Sequence, residues 1–230
     1  MRFLLPKKGV YFTQYRETRN YENMNEALFA SEGVFDIPTL EPVHCDVKDW
    51  LSFNYAKTTD DPKGYGIHFF IDDYQFIRLW RNPKAYVNML SKFDAVMSPD
   101  FSTYLDFPRV IQIYNHYRKH WLGAYWQAHG MTVVPTISWA DDESLNWCFD
   151  GEPRGGTVAV SSVGTQMDRG AQIGFMRGYN AMMERLQPES VIFYGEIPEE
   201  CKADNVFRIP AYQERLRKFN VPKKDNEQRG

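Results

Sequence analysis

The sequence predicts an α/β fold in which parallel strands alternate with helices. Runs of β-forming apolar residues recur along the 230-residue chain, and a carboxylate or small hydroxyl and then a helical pattern follow each run. These runs are IHFFIDD (67–73), DAVMSPD (94–100), TVVPTISWADD (132–142), TVAVSSVG (157–164) and SVIFYGE (190–196). Because ligands bind at the carboxyl ends of the strands in such sheets, the pattern also predicts where a site lies.

Two architectures fit the seven possible strands of the chain. A doubly wound open sheet suits about five or six strands and gathers its polar residues at one switch point, whereas a TIM-barrel-like fold, closed or incomplete, accommodates about seven or eight. Polar residues follow most of the predicted strands, so the barrel-like fold is favoured over the doubly wound sheet.

The order of elements predicts an irregular lead-in over residues 1–35, one α/β domain over 36–210, and a basic helix and tail over 211–230. The predicted helices are 25–30, 47–57, 75–93 with a break at Asn82-Pro83, 106–129, 143–149 and 168–186. The predicted strands outside the five runs are 37–40 and 206–209.

The helix over 106–129 is the clearest element. Pro108 marks its start and Gly130 its end. Its apolar face consists of residues at three- and four-residue spacing, namely Val110, Ile113, Tyr117, Trp121, Ala124 and Ala128. In the helix over 168–186, Gly170, Gly174 and Gly178 form a bare stripe that predicts close approach of a neighbouring element.

Composition and charge bound the function. No apolar run approaches the ~20 residues that span a bilayer, and the amino-terminal patch is too short for a secretory signal, so we expect a cytoplasmic protein. Residues 1–20 hold five basic residues and one acidic, and residues 211–230 hold six and three, so within a net charge of −3 residues 21–210 carry −10. This acidic body disfavours nucleic acid as a partner, except weakly through the basic ends.

The three cysteines, Cys45, Cys148 and Cys201, lie far apart and form no CxxC pair. This spacing excludes a zinc ribbon and a disulfide framework, and predicts buried reduced thiols.

Acidic residues after the strands are the first candidates for chemistry. Asp72, Asp73, Asp100 and Glu196 are the candidate catalytic residues. If they converge, they form a general acid/base pair or bind a divalent metal ion, and the sequence identifies no specific cofactor beyond that metal. Helix capping competes with this interpretation at each single aspartate, and Asp141 or Asp142 is better read as a cap.

Weaker candidates for ligand binding are Ser161, Ser162, Gly164 and Trp139. The small residues leave backbone N–H groups open to an anion, although Thr165 and Asp168 read more simply as a helix cap. His116 and His120 have the four-residue spacing of a zinc pair, but HExxH is absent, so the pattern favours two surface histidines.

The segments GIHFFIDDYQFIRLW, PDFS…P…Q.YN.YR…G..WQ..G (99–130), GGTVAVSSVG and VIFYGE resemble the DUF4417 family, a domain of unknown function. The resemblance spans 64–196 and implies a protein of bacteria, phages or other mobile elements, with no catalytic residues to transfer. Two hypotheses follow: an enzyme, namely a hydrolase or a metal-assisted phosphoryl or glycosyl enzyme, or a non-catalytic scaffold that binds a host or replication partner.

Overall fold

The structure is a computed structural model and describes residues 22–24, 26–165, 167–212 and 214. The predicted lead-in over residues 1–35 lies outside this part up to residue 21, as does nearly all of the predicted basic helix and tail over 211–230. No helix in the described part is long and apolar enough to cross a membrane.

Parallel strands form the centre of the fold. A short antiparallel pair, β1 (Ser31–Glu32) and β2 (Ile37–Pro38), precedes them. A four-stranded parallel sheet contains β3 (Asp49–Ser52), β4 (Tyr65–His68), β5 (Ala95–Met97) and β6 (Val133–Val134). A three-stranded parallel sheet contains β7 (Thr157–Ser161), β8 (Ser190–Tyr194) and β9 (Val206–Ile209). A parallel bridge between Thr136 and Ala159 connects the two sheets.

α-Helices connect β4 to β5, β5 to β6 and β7 to β8, in the alternation that the sequence predicts. The helices are α1 (Asp73–Arg81), α2 (Lys84–Leu90), α3 (Arg109–Ala128) and α4 (Arg169–Leu186). Short 3₁₀ helices lie at Phe53–Tyr55, Ser144–Asn146 and Glu199–Cys201. The predicted α/β class is therefore confirmed.

Strand order separates the two predicted architectures. In both sheets neighbouring strands follow chain order, β3 to β6 and β7 to β9, without the reversal that defines a doubly wound fold. No closed barrel forms in the described part of the chain, because β3 and β9 do not pair with each other.

The two sheets share an apolar core. Ala159 and Ile192 pack in the same cluster as residues of the four-stranded sheet, such as Ile67 and Val96. Their neighbours in sequence, including Val158, belong to a second cluster beneath α4. Strand side chains alternate between faces, so one face of the three-stranded sheet covers the shared core and the other face covers α4.

Three predicted elements are wrong. Residues 47–57 are not a helix, since Asp49–Ser52 pairs with β4 and a 3₁₀ turn follows. Residues 143–149 form only the 3₁₀ helix at Ser144–Asn146, and 27–30 have no regular structure. In the first case tertiary pairing overrides a local pattern that is equally compatible with a helix.

The strand predicted at 37–40 is Ile37–Pro38, in the antiparallel pair and not in the parallel sheet. The segment 75–93 is two helices separated at Asn82-Pro83, as predicted.

The ends of α3 agree with the prediction, and so does most of its apolar face: Trp121 and Ala124 are buried, and Ile113, Tyr117 and Ala128 pack against the core. Pro108 immediately precedes the helix, and Gly130 follows it with a φ of 80°. Val110 is 69% exposed, whereas polar residues of α3 are buried: Gln112, Asn115, His116, Lys119 and His120.

The cysteines agree with the prediction of reduced thiols. All three are free, Cys148 and Cys201 are buried, and Cys45 is partly buried. Burial raises the pKa of Cys148 to about 12, so this thiol is not a nucleophile near neutral pH.

In the glycine stripe of α4, close packing requires glycine at Gly178 but not at Gly174. A Cβ atom on Gly178 would lie 2.1 Å from Cε2 of Trp139, whereas a Cβ on Gly174 would meet nothing within 4 Å. Trp139 also packs against Phe175 with ring centroids 5.4 Å apart, so the indole contributes to packing under α4.

We therefore expect Gly178→Ala and Gly174→Ala to change stability in opposite directions. The Gly178→Ala methyl forces Trp139 to move and costs about 1–3 kcal/mol. Gly174→Ala adds helix propensity without a clash and stabilises by up to about 1 kcal/mol. Urea denaturation of both variants measures this difference. Equal effects would show that Trp139 does not pack on Gly178.

Candidate functional site

Two of the candidate carboxylates lie close together at the carboxyl ends of β4 and β5. Asp73 is in the first turn of α1, where its carboxylate accepts hydrogen bonds from the backbone N–H of Ser102 at 3.2 Å and from its hydroxyl at 2.8 Å. Asp100 follows β5 two residues before Ser102 and interacts electrostatically with Asp73. Asp72 is exposed at the N-cap position of α1 and contacts Gln75 at 3.4 Å.

Asp100 has the most unusual environment of the four. The residue is partly buried, and its carboxyl group accepts no hydrogen bond from any residue that the structure describes. Burial raises the pKa of Asp100 to about 7, against the opposing attraction of Lys119 and with a further contribution from Asp73. This carboxyl therefore gains and loses a proton near neutral pH.

Glu196 is not part of this group. Its exposed side chain forms an ion pair with Arg208 of β9, and Arg208 also pairs with Glu214. Capping does not explain Glu196, but an ordinary surface ion pair does.

The small residues after β7 bond within the protein. The buried Ser162 hydroxyl donates to the carbonyl of Glu196 at 2.5 Å, and the Ser161 hydroxyl accepts from Val163 N–H at 3.3 Å. Gly164 adopts a φ of 81° in the turn that follows. These contacts connect the loops after β7 and β8.

Of the residues predicted to cap helices, Asp168 and Asp141 accept hydrogen bonds from backbone N–H groups, and Thr165 bonds to a carbonyl. The carboxylate of Asp168 caps α4 by accepting from Ala171 N–H at 2.9 Å, whereas the Thr165 hydroxyl donates to the Ser162 carbonyl instead. Asp141 accepts from Ser144 N–H at 3.0 Å and forms a paired hydrogen bond with Arg109, which lowers the pKa of Asp141 to about 2.

A second constellation, which the sequence did not predict, surrounds the carboxylate of Glu152. Glu152 Oε1 accepts from Lys119 Nζ at 2.6 Å and lies 2.9 Å from His120 Nε2, and all three side chains are buried. Lys119 also donates to the carbonyl of Thr136 at 2.7 Å. Burial alone would raise the pKa of Glu152, but His120 and Lys119 outweigh it and hold the pKa below its usual value.

The two histidines of α3 are buried, so the prediction of surface histidines is wrong. His116 Nε2 donates to the carbonyl of Asp150 at 3.0 Å, and His120 Nδ1 donates to the carbonyl of Pro38 at 2.8 Å. Their rings lie 4.4 Å apart by centroids. Burial lowers the pKa of His116 well below its usual value, with Lys119 and His120 adding to the effect, so this ring is neutral.

His116, His120 and Glu152 together resemble a metal-ligand set. Each offers one ligand atom, and these atoms lie within 4.8 Å of one another. Sequence analysis identified the histidine spacing but not the burial, because the residues that cover α3 are β2 and the loop over 149–152, which are distant in sequence.

Comparison with known proteins places the chain in a phage-related group. The model of the family described as "Domain of unknown function (DUF4417)" matches residues 29–213. The chain is 34% identical over 195 residues to "Gene 1 protein" of Mycobacterium phage L5, covering 83% of this chain and 85% of that protein. It is 34% identical over 194 residues to "Gene 1 protein" of Mycobacterium phage D29, covering 83% and 72%. No solved structure matches.

The environment of Asp100 predicts a pH-dependent stability. Its folded-state pKa lies above its usual value of 3.8, so folding favours the protonated carboxyl. This contribution to the free energy of unfolding is fully present below about pH 3.8 and is lost as the pH rises through about 7. Asparagine stays neutral at every pH, so we expect Asp100→Asn to be more stable than the wild type at pH 8. A shift of about three pH units corresponds to about 4 kcal/mol, and we expect about 2 kcal/mol because the residue is partly exposed.

Urea denaturation from pH 4 to 8 measures this effect, and the advantage of Asp100→Asn should shrink towards pH 4. Asp106→Asn, a change of an exposed carboxylate in the same loop, is the control and should show no such trend. An Asp100→Asn protein no more stable than wild type at pH 8 would contradict the raised pKa.

The buried ion pair between Lys119 and Glu152 predicts that replacing Lys119 strongly lowers the stability of the fold. Lys119→Met keeps the length of the side chain but removes the buried positive charge beside Glu152, so we expect a loss of about 3–5 kcal/mol in the free energy of unfolding. Lys92→Met, at an exposed lysine, should change stability by no more than about 0.5 kcal/mol. Combining Lys119→Met with Glu152→Leu should recover part of the loss in thermal or urea denaturation. A small effect of Lys119→Met would show that the pair does not hold the fold.

Proposed function

The chain belongs to the DUF4417 family, and from the geometry of its strand ends we propose that it is a hydrolase in which Asp100 is the proton-donating acid. The observation that carries the proposal is a carboxyl group with a pKa of about 7 and no hydrogen-bond partner among the described residues, at the carboxyl end of β5. A general acid works best when its pKa lies near the working pH.

The position of Asp100 supports this proposal. The strands run in chain order and both sheets contribute to one core, which supports an incomplete TIM-barrel-like sheet with its carboxyl ends on one side. Ligands bind at that side in such folds. Asp73 supplies a second carboxylate close enough to act on Asp100 electrostatically, and the Ser102 contacts hold it in place.

Glycosyl transfer to water fits this pair better than metal-assisted phosphoryl transfer. A carboxyl that keeps its proton near neutral pH can protonate a leaving-group oxygen while a second carboxylate assists, as in glycoside hydrolysis. A metal ligand has to be deprotonated, and the raised pKa of Asp100 opposes that role.

The test compares Asp100→Asn with the wild type on two kinds of substrate. Natural oligosaccharides have poor leaving groups that need a proton, so we expect Asp100→Asn to lose about 10²–10⁴-fold in rate on them, measured by reducing-sugar release. 4-Nitrophenyl glycosides have a good leaving group, so the loss there should be much smaller. The wild-type pH profile should fall above about pH 7, as Asp100 loses its proton.

Asp106→Asn is the matched control and should keep full activity. Full activity of Asp100→Asn on oligosaccharides would contradict the proposal. Hydrolysis of bis(4-nitrophenyl) phosphate alone, and only with added Mg²⁺, would favour the phosphoryl reaction instead.

A binding scaffold is the second candidate. Apolar side chains are exposed in the segment that leads from β5 into α3, including Leu105 at 75% and Val110 at 69%. Exposed apolar groups of this kind are typical of protein interaction surfaces. A scaffold of this kind would hydrolyse none of the substrates above, and the wild type and Asp100→Asn would then be indistinguishable.

A further inference from the structure

We propose that His116, His120 and Glu152 bind a divalent transition-metal ion of the zinc class. The three side chains come from one face of α3 and from the loop that precedes β7. One ligand atom of each lies within 4.8 Å of the others, and all three residues are buried. Two imidazoles and a carboxylate are a known ligand set for Zn²⁺. This proposal is independent of the role of Asp100.

The backbone fixes each histidine in the form that a metal ligand requires. A carbonyl oxygen can only accept, so His116 Nε2 carries a proton for Asp150 and His120 Nδ1 carries one for Pro38. In the neutral rings the lone pairs are then on His116 Nδ1 and His120 Nε2. Metal-binding histidines typically have their other nitrogen bonded to a backbone carbonyl or carboxylate in this way.

Glu152 provides the second observation. Its side chain is fully buried, yet Oε2 has no hydrogen-bond partner among the residues that the structure describes. A buried carboxylate oxygen without a partner is costly, and a bound cation removes that cost.

Lys119 is the main electrostatic cost of this site. Its ammonium bonds to Oε1 and to the carbonyl of Thr136, which leaves Oε2 to the ion. Asp100 also attracts Lys119, so two carboxyl groups, Glu152 and Asp100, act against the positive charge. No fourth His, Cys, Asp or Glu in the described part of the chain joins the set, so a water or small anion completes the coordination.

The experiment titrates the chelator-treated, desalted full chain with Co²⁺, whose visible absorption reports the ligand geometry, and then displaces Co²⁺ with Zn²⁺. We expect one Co²⁺ per chain. His116→Gln keeps an N–H donor for Asp150 but lacks the imidazole, and should weaken binding by at least about a hundredfold, more than the 10–100-fold typical of a lost outer-shell partner. His129→Gln, at an exposed histidine directly after the same helix, should bind as the wild type does.

Circular dichroism and thermal denaturation without metal establish that each variant is folded. If His116→Gln does not fold, Glu152→Gln takes its place in the same titration. Absence of saturable Co²⁺ binding in the wild type would overturn the proposal. So would wild-type affinity in a folded His116→Gln protein, or loss of binding in His129→Gln.

Discussion

The buried carboxylate of Glu152 is the interaction on which the arrangement around α3 depends. A carboxylate without solvent is stable only when charge and hydrogen bonds replace the water, and here Lys119 and His120 do so at 2.6 and 2.9 Å. The same two side chains also bond to Thr136 after β6 and to Pro38 in β2. One charged cluster therefore joins α3 to the strand after it, to the β1–β2 pair and to the loop before β7.

This cluster also explains why the loop over 149–152 has so little freedom. A Cβ atom on Gly151 would lie 2.5 Å from the carbonyl of Pro38 and 2.9 Å from His120 Nδ1, and its φ is 76°. The Gly151 carbonyl also accepts from Leu40 N–H at 2.9 Å. Glycine is required here because the backbone has to approach β2 closely while it places Glu152 against α3.

The sequence predicts those features of the fold that local patterns encode. Pro108 and Gly130 delimit α3 because they act on their own neighbours, and the apolar runs of β4, β5, β7 and β8 are recognisable without their partners. Sequence patterns do not predict a residue's environment when its contacts come from a distant part of the chain. Polar residues on a helix normally face water, so Lys119 and His120 read as surface residues until Glu152, more than 30 residues later, is seen to fold over them.

The candidate carboxylates also divide into those that local patterns predict and those that depend on distant partners. Asp73 and Asp100 come together because adjacent parallel strands end at one edge, which the strand pattern already implies. The ion pair of Glu196 with Arg208 depends on the pairing of β9 with β8, which the predicted strand at 206–209 does not specify by itself.

Lys119 links the two constellations. Its charge lowers the pKa of both Asp100 and Glu152, and it lies among residues that exclude water, where charges interact more strongly than at the surface. Because one ammonium serves two carboxyl groups, a change in charge on either one alters the field at the other. Burial keeps the pKa of Asp100 raised, because Lys119 donates its hydrogen bonds to Glu152 and Thr136 and opposes the burial of Asp100 only through its charge. The buried cluster thus holds the fold together and leaves the carboxyl at the strand edge available to exchange a proton near neutral pH.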